Sequence, residues 1–136
     1  PTALIAGFGE AARIATCEND DCYRECIRIR ESIIKKLEMS ELDYIINGNE
    51  KYCISNTLNV SFTGVNSEAL MLATRQYCSI SNGSACNSNN YELSYVLKAM
   101  GFDDDRIRSS VRLSWGCRGF DEQQFDRMLY VIRSLV

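Results

Sequence analysis

Ser109-Ser110-Val111-Arg112-Leu113-Ser114-Trp115-Gly116 carries a strand's alternation of apolar and polar side chains. Val111, Leu113 and Trp115 alternate with Ser110, Arg112 and Ser114, as in a strand with one face in the core. An arginine flanked by serines on the other face can offer a planar fork to a carboxylate. A strand arginine that simply faces solvent fits the same pattern.

The preceding chain supplies this strand's partners. Tyr44-Ile45-Ile46 and then Leu58, Val60 and Phe62, alternating with Asn59 and Ser61, read as two strands, with Asn47-Gly48 as a turn signal after the first. Tyr77 to Ile80 reads as one more short strand. Helices fill the rest. Residues 3–16 place Leu4, Phe8, Ala11, Ala12 and Ala15 three to four apart. Asn19 or Asp20 can cap a second helix to about Glu38, with an apolar stripe at Cys22/Tyr23, Cys26/Ile27, Ile33/Ile34 and Leu37. Asn66 caps a helix to about Gln76, with Ala69, Leu70 and Ala73 inward. Asn89 or Asn90 caps a helix from Tyr91 to Met100 that buries Leu93, Val96, Leu97 and Met100 and stops at Gly101. Asp121 with Gln124 resembles a capping box opening a last helix, with Phe125, Met128, Leu129, Ile132 and Leu135 inward. The predicted class is α+β, a small and mostly antiparallel sheet of three or four strands covered by helices.

The bulk properties bound the function. The 136 residues make one domain, with 46% apolar and 24% charged side chains. A net charge of −3 and a pI near 5.0 argue against a nucleic-acid-binding face, which needs a clustered basic patch. Neither a secretory signal nor an apolar run of membrane-spanning length is present. Seven cysteines are an odd number, so the expectation is a reducing, cytoplasmic setting with thiols mostly free. The chain has no histidine, the commonest general base, so catalysis would need a metal, a cofactor or a partner domain.

Two clusters invite a metal reading. Cys17, Cys22 and Cys26 have the spacing C-x4-C-x3-C, which matches no common zinc or iron–sulfur pattern, and Cys22 and Cys26 are expected to pack on the helical stripe. Asp103-Asp104-Asp105 lacks the ligand spacing of a calcium loop and is expected to be a solvated turn. No metal site is predicted.

Ser81-Asn82-Gly83-Ser84-Ala85-Cys86 opens a run of small and polar residues continuing to Asn90. Cys86 has no apolar neighbour but Ala85, so its thiol can be presented outside the core. From its neighbours alone, an incidental loop cysteine reads at least as well.

Together, Ser81 to Cys86, Glu92 to Gly101 and Ser109 to Gly116 resemble the C-terminal part of a cysteine desulfurase of the NifS/IscS type, in the class V aminotransferase group. Asn59-Val60-Ser61-Phe62 and Gly7-Phe8-Gly9-Glu10-Ala11-Ala12 agree more loosely. The resemblance implies a pyridoxal phosphate enzyme that converts L-cysteine to L-alanine. Cys86 would be the nucleophile that takes the sulfur as a persulfide and passes it to an acceptor protein. Arg112 would clamp the substrate carboxylate, with Ser81, Asn82, Gly83, Ser84 and Ala85 forming the active-site loop. The cofactor lysine would lie in a large domain outside residues 1–136, so this piece alone is expected to be inactive. A homodimer is expected of the whole enzyme. The sulfur would serve iron–sulfur assembly, tRNA thiolation or DNA phosphorothioation (the DndA-type branch), with no direct nucleic-acid contact and no membrane. A self-standing persulfide carrier is the alternative. Leu93, where the family has proline, and Cys117-Arg118-Gly119-Phe120 depart from the family pattern.

Overall fold

The computed structural model describes residues 1–83 and 93–136. Its centre is β2 (Thr57–Phe62), flanked antiparallel on both sides by β1 (Tyr44–Asn47) and β3 (Ser110–Ser114). Asn59 stands opposite Asn47 on one side and opposite Arg112 on the other. Ser61 stands opposite Ser110. Because side chains alternate along a strand, these five residues share one face. Tyr44, Ile46, Leu58, Val60, Phe62, Val111 and Leu113 share the other, which is the core face.

The core face is covered by helices. Ile29, Ile33 and Leu37 of α1 (Thr2–Met39), Leu70 of α2 (Ser67–Thr74) and Phe125, Met128, Leu129 and Ile132 of α5 (Glu122–Arg133) join the strand residues in one cluster. Burying a side chain such as Phe62 or Ile33 contributes about 1.5–3 kcal/mol. The short helices α3 (Tyr95–Ala99) and α4 (Asp104–Arg108) complete the chain and lead into β3. The Asx caps at Asn66 and Asp121 form as the sequence predicts, each oxygen accepting two backbone N–H groups.

The structure corrects several expectations. The two predicted N-terminal helices are one helix of 38 residues, roughly 57 Å long. No break occurs at Asn19, because nothing in residues 17–20 forbids helical backbone, and i,i+3 charged pairs support the helix on both sides of the junction: Glu10–Arg13 before it, Asp21–Arg24 and Glu25–Arg28 after it. Each such pair contributes about 0.2–0.5 kcal/mol. Residues 1–21 are exposed, Leu4, Ile5 and Phe8 among them. The stripe that is buried runs Cys26, Ile29, Ile33, Leu37, so Tyr23 faces solvent. Tyr77 to Ile80 forms no strand; pairing is confined to a single bridge from Ser81. In the third predicted helix Leu70 is buried but Ala69 is exposed. The caps placed at Asn89 or Asn90 lie outside the described residues. The described helix is α3, capped by Ser94, and only its Leu97 is buried. Asp103 to Asp105 is no free turn, since Asp103 accepts from the backbone of Arg106 and caps α4. Leu135 is 37% exposed, as α5 has ended by then.

Cys22 does not pack as a core thiol. It forms a disulfide with Cys117, the two Cα atoms 4.9 Å apart. At this level α1 has begun to leave the sheet, and the segment after β3 crosses beside it. Glu18–Arg118 pairs one turn further on, and Trp115 Nε1 donates to the Cys26 carbonyl at 3.1 Å. Cys17, Cys26, Cys53 and Cys78 are free thiols.

The bridge joins residues 95 apart in sequence, so it removes much of the unfolded chain's freedom. Replacing Cys117 by serine is expected to lower the unfolding free energy by about 2–5 kcal/mol. The shift in urea midpoint measures this, and a reductant should reproduce it in the parent protein while leaving Cys117→Ser unchanged.

Candidate functional site

Arg112 sits on the open face of β3, exposed, and among the described residues its guanidinium has no partner. Its backbone is held firmly. The Arg112 N–H donates to the Ser81 carbonyl at 2.6 Å and its carbonyl accepts from the Ser81 N–H at 3.2 Å. Ser81 thus enters as a one-residue extension of the sheet beside β3. Beyond it, Ser81 Oγ donates to the Gly83 carbonyl at 2.8 Å, and Asn82 Nδ2 donates to Ser67 Oγ at 3.3 Å, at the start of α2. The structure therefore brings Ser81 to Arg112 and ties Asn82 to the start of α2, with Gly83 held by Ser81. Ser84, Ala85 and Cys86 lie outside the described residues.

The same face carries a polar network. Asn47 Nδ2 donates to Asn59 Oδ1 at 2.6 Å, to Ser61 Oγ at 2.8 Å and to Ser110 Oγ at 3.1 Å. Asn47 Oδ1 accepts from Arg106 Nε at 2.8 Å. Ser110 Oγ donates to the Arg106 carbonyl at 2.6 Å, which leaves it to accept from Ser61 Oγ at 2.8 Å. Ser61 and Ser110 are each 1% exposed, so these bonds satisfy hydroxyls that would otherwise be buried at a cost of about 1–3 kcal/mol each. Arg106 is held from its other side by the Phe102 ring, its guanidinium carbon 3.8 Å from the centroid. The sequence reading uses Asn47 only as a turn signal and Asn59 only as an outward strand position, and assigns no site role to either or to Arg106. The signal was the alternation itself, which puts Asn47, Asn59, Ser61, Ser110 and Arg112 on one face once the register is known.

On the core side, a cavity of about 250 Å³ opens between β3, α5 and the segment after Trp115, walled by Tyr77, Trp115, Phe120 and Phe125. Gln124 also lines it, and its Oε1 is buried without a partner. Only half of the expected capping box forms: Asp121 accepts from the backbone of Gln123 and Gln124. Cys78 borders the same cavity, its Sγ 3.2 Å from Met128 Sδ. Burial pushes the Cys78 thiol up, with a smaller opposing pull from Thr74.

The described residues group no three metal-ligating side chains. They also build no seat for pyridoxal phosphate. Neither this cavity nor the one at the β1–β2 connection is lined by a lysine. Lys36 is occupied by Asp126 and Glu122, and Lys51 lies over the Tyr52 ring. No helix is long and apolar enough to cross a membrane.

Comparison with known proteins gives the site its context. No family model matches the chain. A cysteine desulfurase IscS of Vibrio cholerae is 38% identical over 136 residues, all of this chain and 33% of that protein. The IscS of Neisseria meningitidis is 39% identical over 123 residues, 90% of this chain and 30% of that protein. The chain is similar throughout to one third of a cysteine desulfurase. It spans about a third of the length of the curated relatives it matches. The fold agrees: a NifS-like protein from Rickettsia africae superposes with a TM-score of 0.78 at 23% identity, over 96% of this chain and 34% of its own. DndA from Streptomyces lividans superposes with a TM-score of 0.59 at 25% identity, over 85% of this chain and 32% of its own.

The thiol environments set an order of reactivity. Cys17 and Cys53 are exposed, whereas Cys78 is half-buried with a raised pKa. Iodoacetamide labelling near neutral pH is expected to modify Cys17 and Cys53 first, with Cys78 following only as the pH is raised. Peptide mass mapping over time checks this.

Proposed function

We propose that this chain is the small C-terminal domain of a cysteine desulfurase. In it, Arg112 holds the substrate carboxylate and Cys86 receives the sulfur. The observation that carries the reading is the Ser81–Arg112 backbone bridge. It ties the start of the Ser81-to-Cys86 run to the strand bearing an unpartnered guanidinium. Cys86 follows Ser81 by five residues, a span of at most about 18 Å.

The Cys86 thiolate attacks the sulfur of L-cysteine, an S–S bond forms and the substrate's carbon–sulfur bond breaks. The carbon keeps the electron pair and takes a proton, yielding L-alanine and a persulfide on Cys86. That electron pair needs a sink, which pyridoxal phosphate would supply from the remainder of the protein, since the residues described here do not fit it. Arg112 contributes position: a bidentate grip on the carboxylate fixes where the sulfur lies.

In this reading the whole protein is a cytoplasmic homodimer. Its persulfide goes to an acceptor protein serving iron–sulfur assembly, tRNA thiolation or DNA phosphorothioation. The likeness to DndA supports keeping the last of these. The cavities' lack of lysine also supports a second reading, a persulfide carrier without catalysis of its own. Sulfur arriving on Cys86 from a separate donor enzyme, seen by mass, would favour it.

Changing Cys86 to serine in the intact protein is expected to abolish alanine formation while leaving the cofactor's absorbance band in place. Undiminished desulfuration would sink the assignment. Arg112→Lys, which keeps the charge but loses the fork, should raise the KM for L-cysteine about tenfold or more with a smaller effect on kcat.

A further inference from the structure

The polarity of the hydrogen bonds across the sheet can be followed from one end to the other. Arg106 Nε can only donate, so the Asn47 atom it meets at 2.8 Å is the oxygen. The Asn47 amide nitrogen must then face β2, where it donates to Asn59 at 2.6 Å. Asn59 must meet that donor with its own oxygen. Its nitrogen is therefore turned the other way along the row Asn47, Asn59, Arg112, towards the arginine. Among the described residues this Nδ2 has no acceptor, and neither has the Arg112 guanidinium. Two unpaired donor groups thus stand side by side on an open sheet face. An acceptor-only group with two oxygens, a carboxylate, satisfies both.

We propose that Asn59 is a second carboxylate-binding residue, and that Asn47 and Arg106 are positioning residues that hold its amide nitrogen towards Arg112. The inference rests on the reading of Arg112 as the carboxylate clamp and extends it. The arginine supplies charge and a planar fork. The asparagine adds a directional donor from the rigid central strand, so a ligand without a carboxylate loses both.

The test measures competitive inhibition of the intact protein by L-alanine and by ethylamine, which has the same skeleton without the carboxylate. Asn59→Ala is expected to weaken alanine about tenfold and leave ethylamine unchanged. Asn59→Asp keeps the acceptor towards Asn47 and so preserves the network, but carries no donor; it should weaken alanine at least as much. Asn47→Asp leaves Asn59 able to bond only through its nitrogen, turning its oxygen towards Arg112, and should produce the same selective loss. Urea midpoints confirm that each variant is folded. If Asn59→Ala and Asn59→Asp keep the parent's alanine-to-ethylamine ratio while Arg112→Lys changes it, the role of Asn59 is overturned and that of Arg112 stands. If Arg112→Lys also leaves the ratio untouched, the carboxylate reading itself fails and this inference falls with it.

Discussion

The geometry of the candidate site depends on the antiparallel pairing of β2 with β3, in a register that puts Asn59 opposite Arg112. With a period of two, Val111 and Leu113 can enter the core only if Arg112 leaves it, so one set of contacts determines the other. A slip of one residue would bury the arginine and expose the valine. The apolar cluster under the sheet thus sets the face from which Arg112 leaves, without touching its guanidinium.

A second constraint is the density of hydrogen-bonding groups on the opposite face. Ser61 and Ser110 are as buried as the core residues beneath them, yet among the described residues no layer of long helices covers them. They are enclosed by Asn47 and by the turn of α4 that carries Arg106. Each hydroxyl has a single workable proton position, because the Arg106 carbonyl accepts and its Nε donates. The face is consequently rigid in orientation as well as in position, the condition under which a few polar groups can discriminate between ligands.

The parts of this architecture that follow local rules were readable in the sequence. Alternation placed β1, β2 and β3, the Asx residues placed the starts of α2 and α5, and the 3.6-residue period placed the core face of α5. Three features were not readable, each for a physical reason. The continuity of α1 depends on an absence, since polar residues that can cap a helix also tolerate its interior. The failure of Tyr77 to Ile80 to become a strand depends on what lies beside it, and only Ser81 reaches a free edge group on β3. The Cys22–Cys117 bond depends on a spatial approach between residues 95 apart. In the site, Arg112 leaves β3 on the face opposite Val111 and Leu113, as the alternation predicts, whereas its bridge to Ser81 and the row of asparagines became visible only with the strand register.

That bond also changes what kind of object the chain is. With residues 22 and 117 joined, the covalent backbone is a closed ring with two tails. All three strands lie in the ring, one tail is the exposed half of α1, and the other carries α5. A single peptide cleavage anywhere in the ring leaves the pieces attached, and only reductant lets them part. Integrity of this molecule is therefore a matter of connectivity rather than of an unbroken chain, and it depends on the redox state of its surroundings.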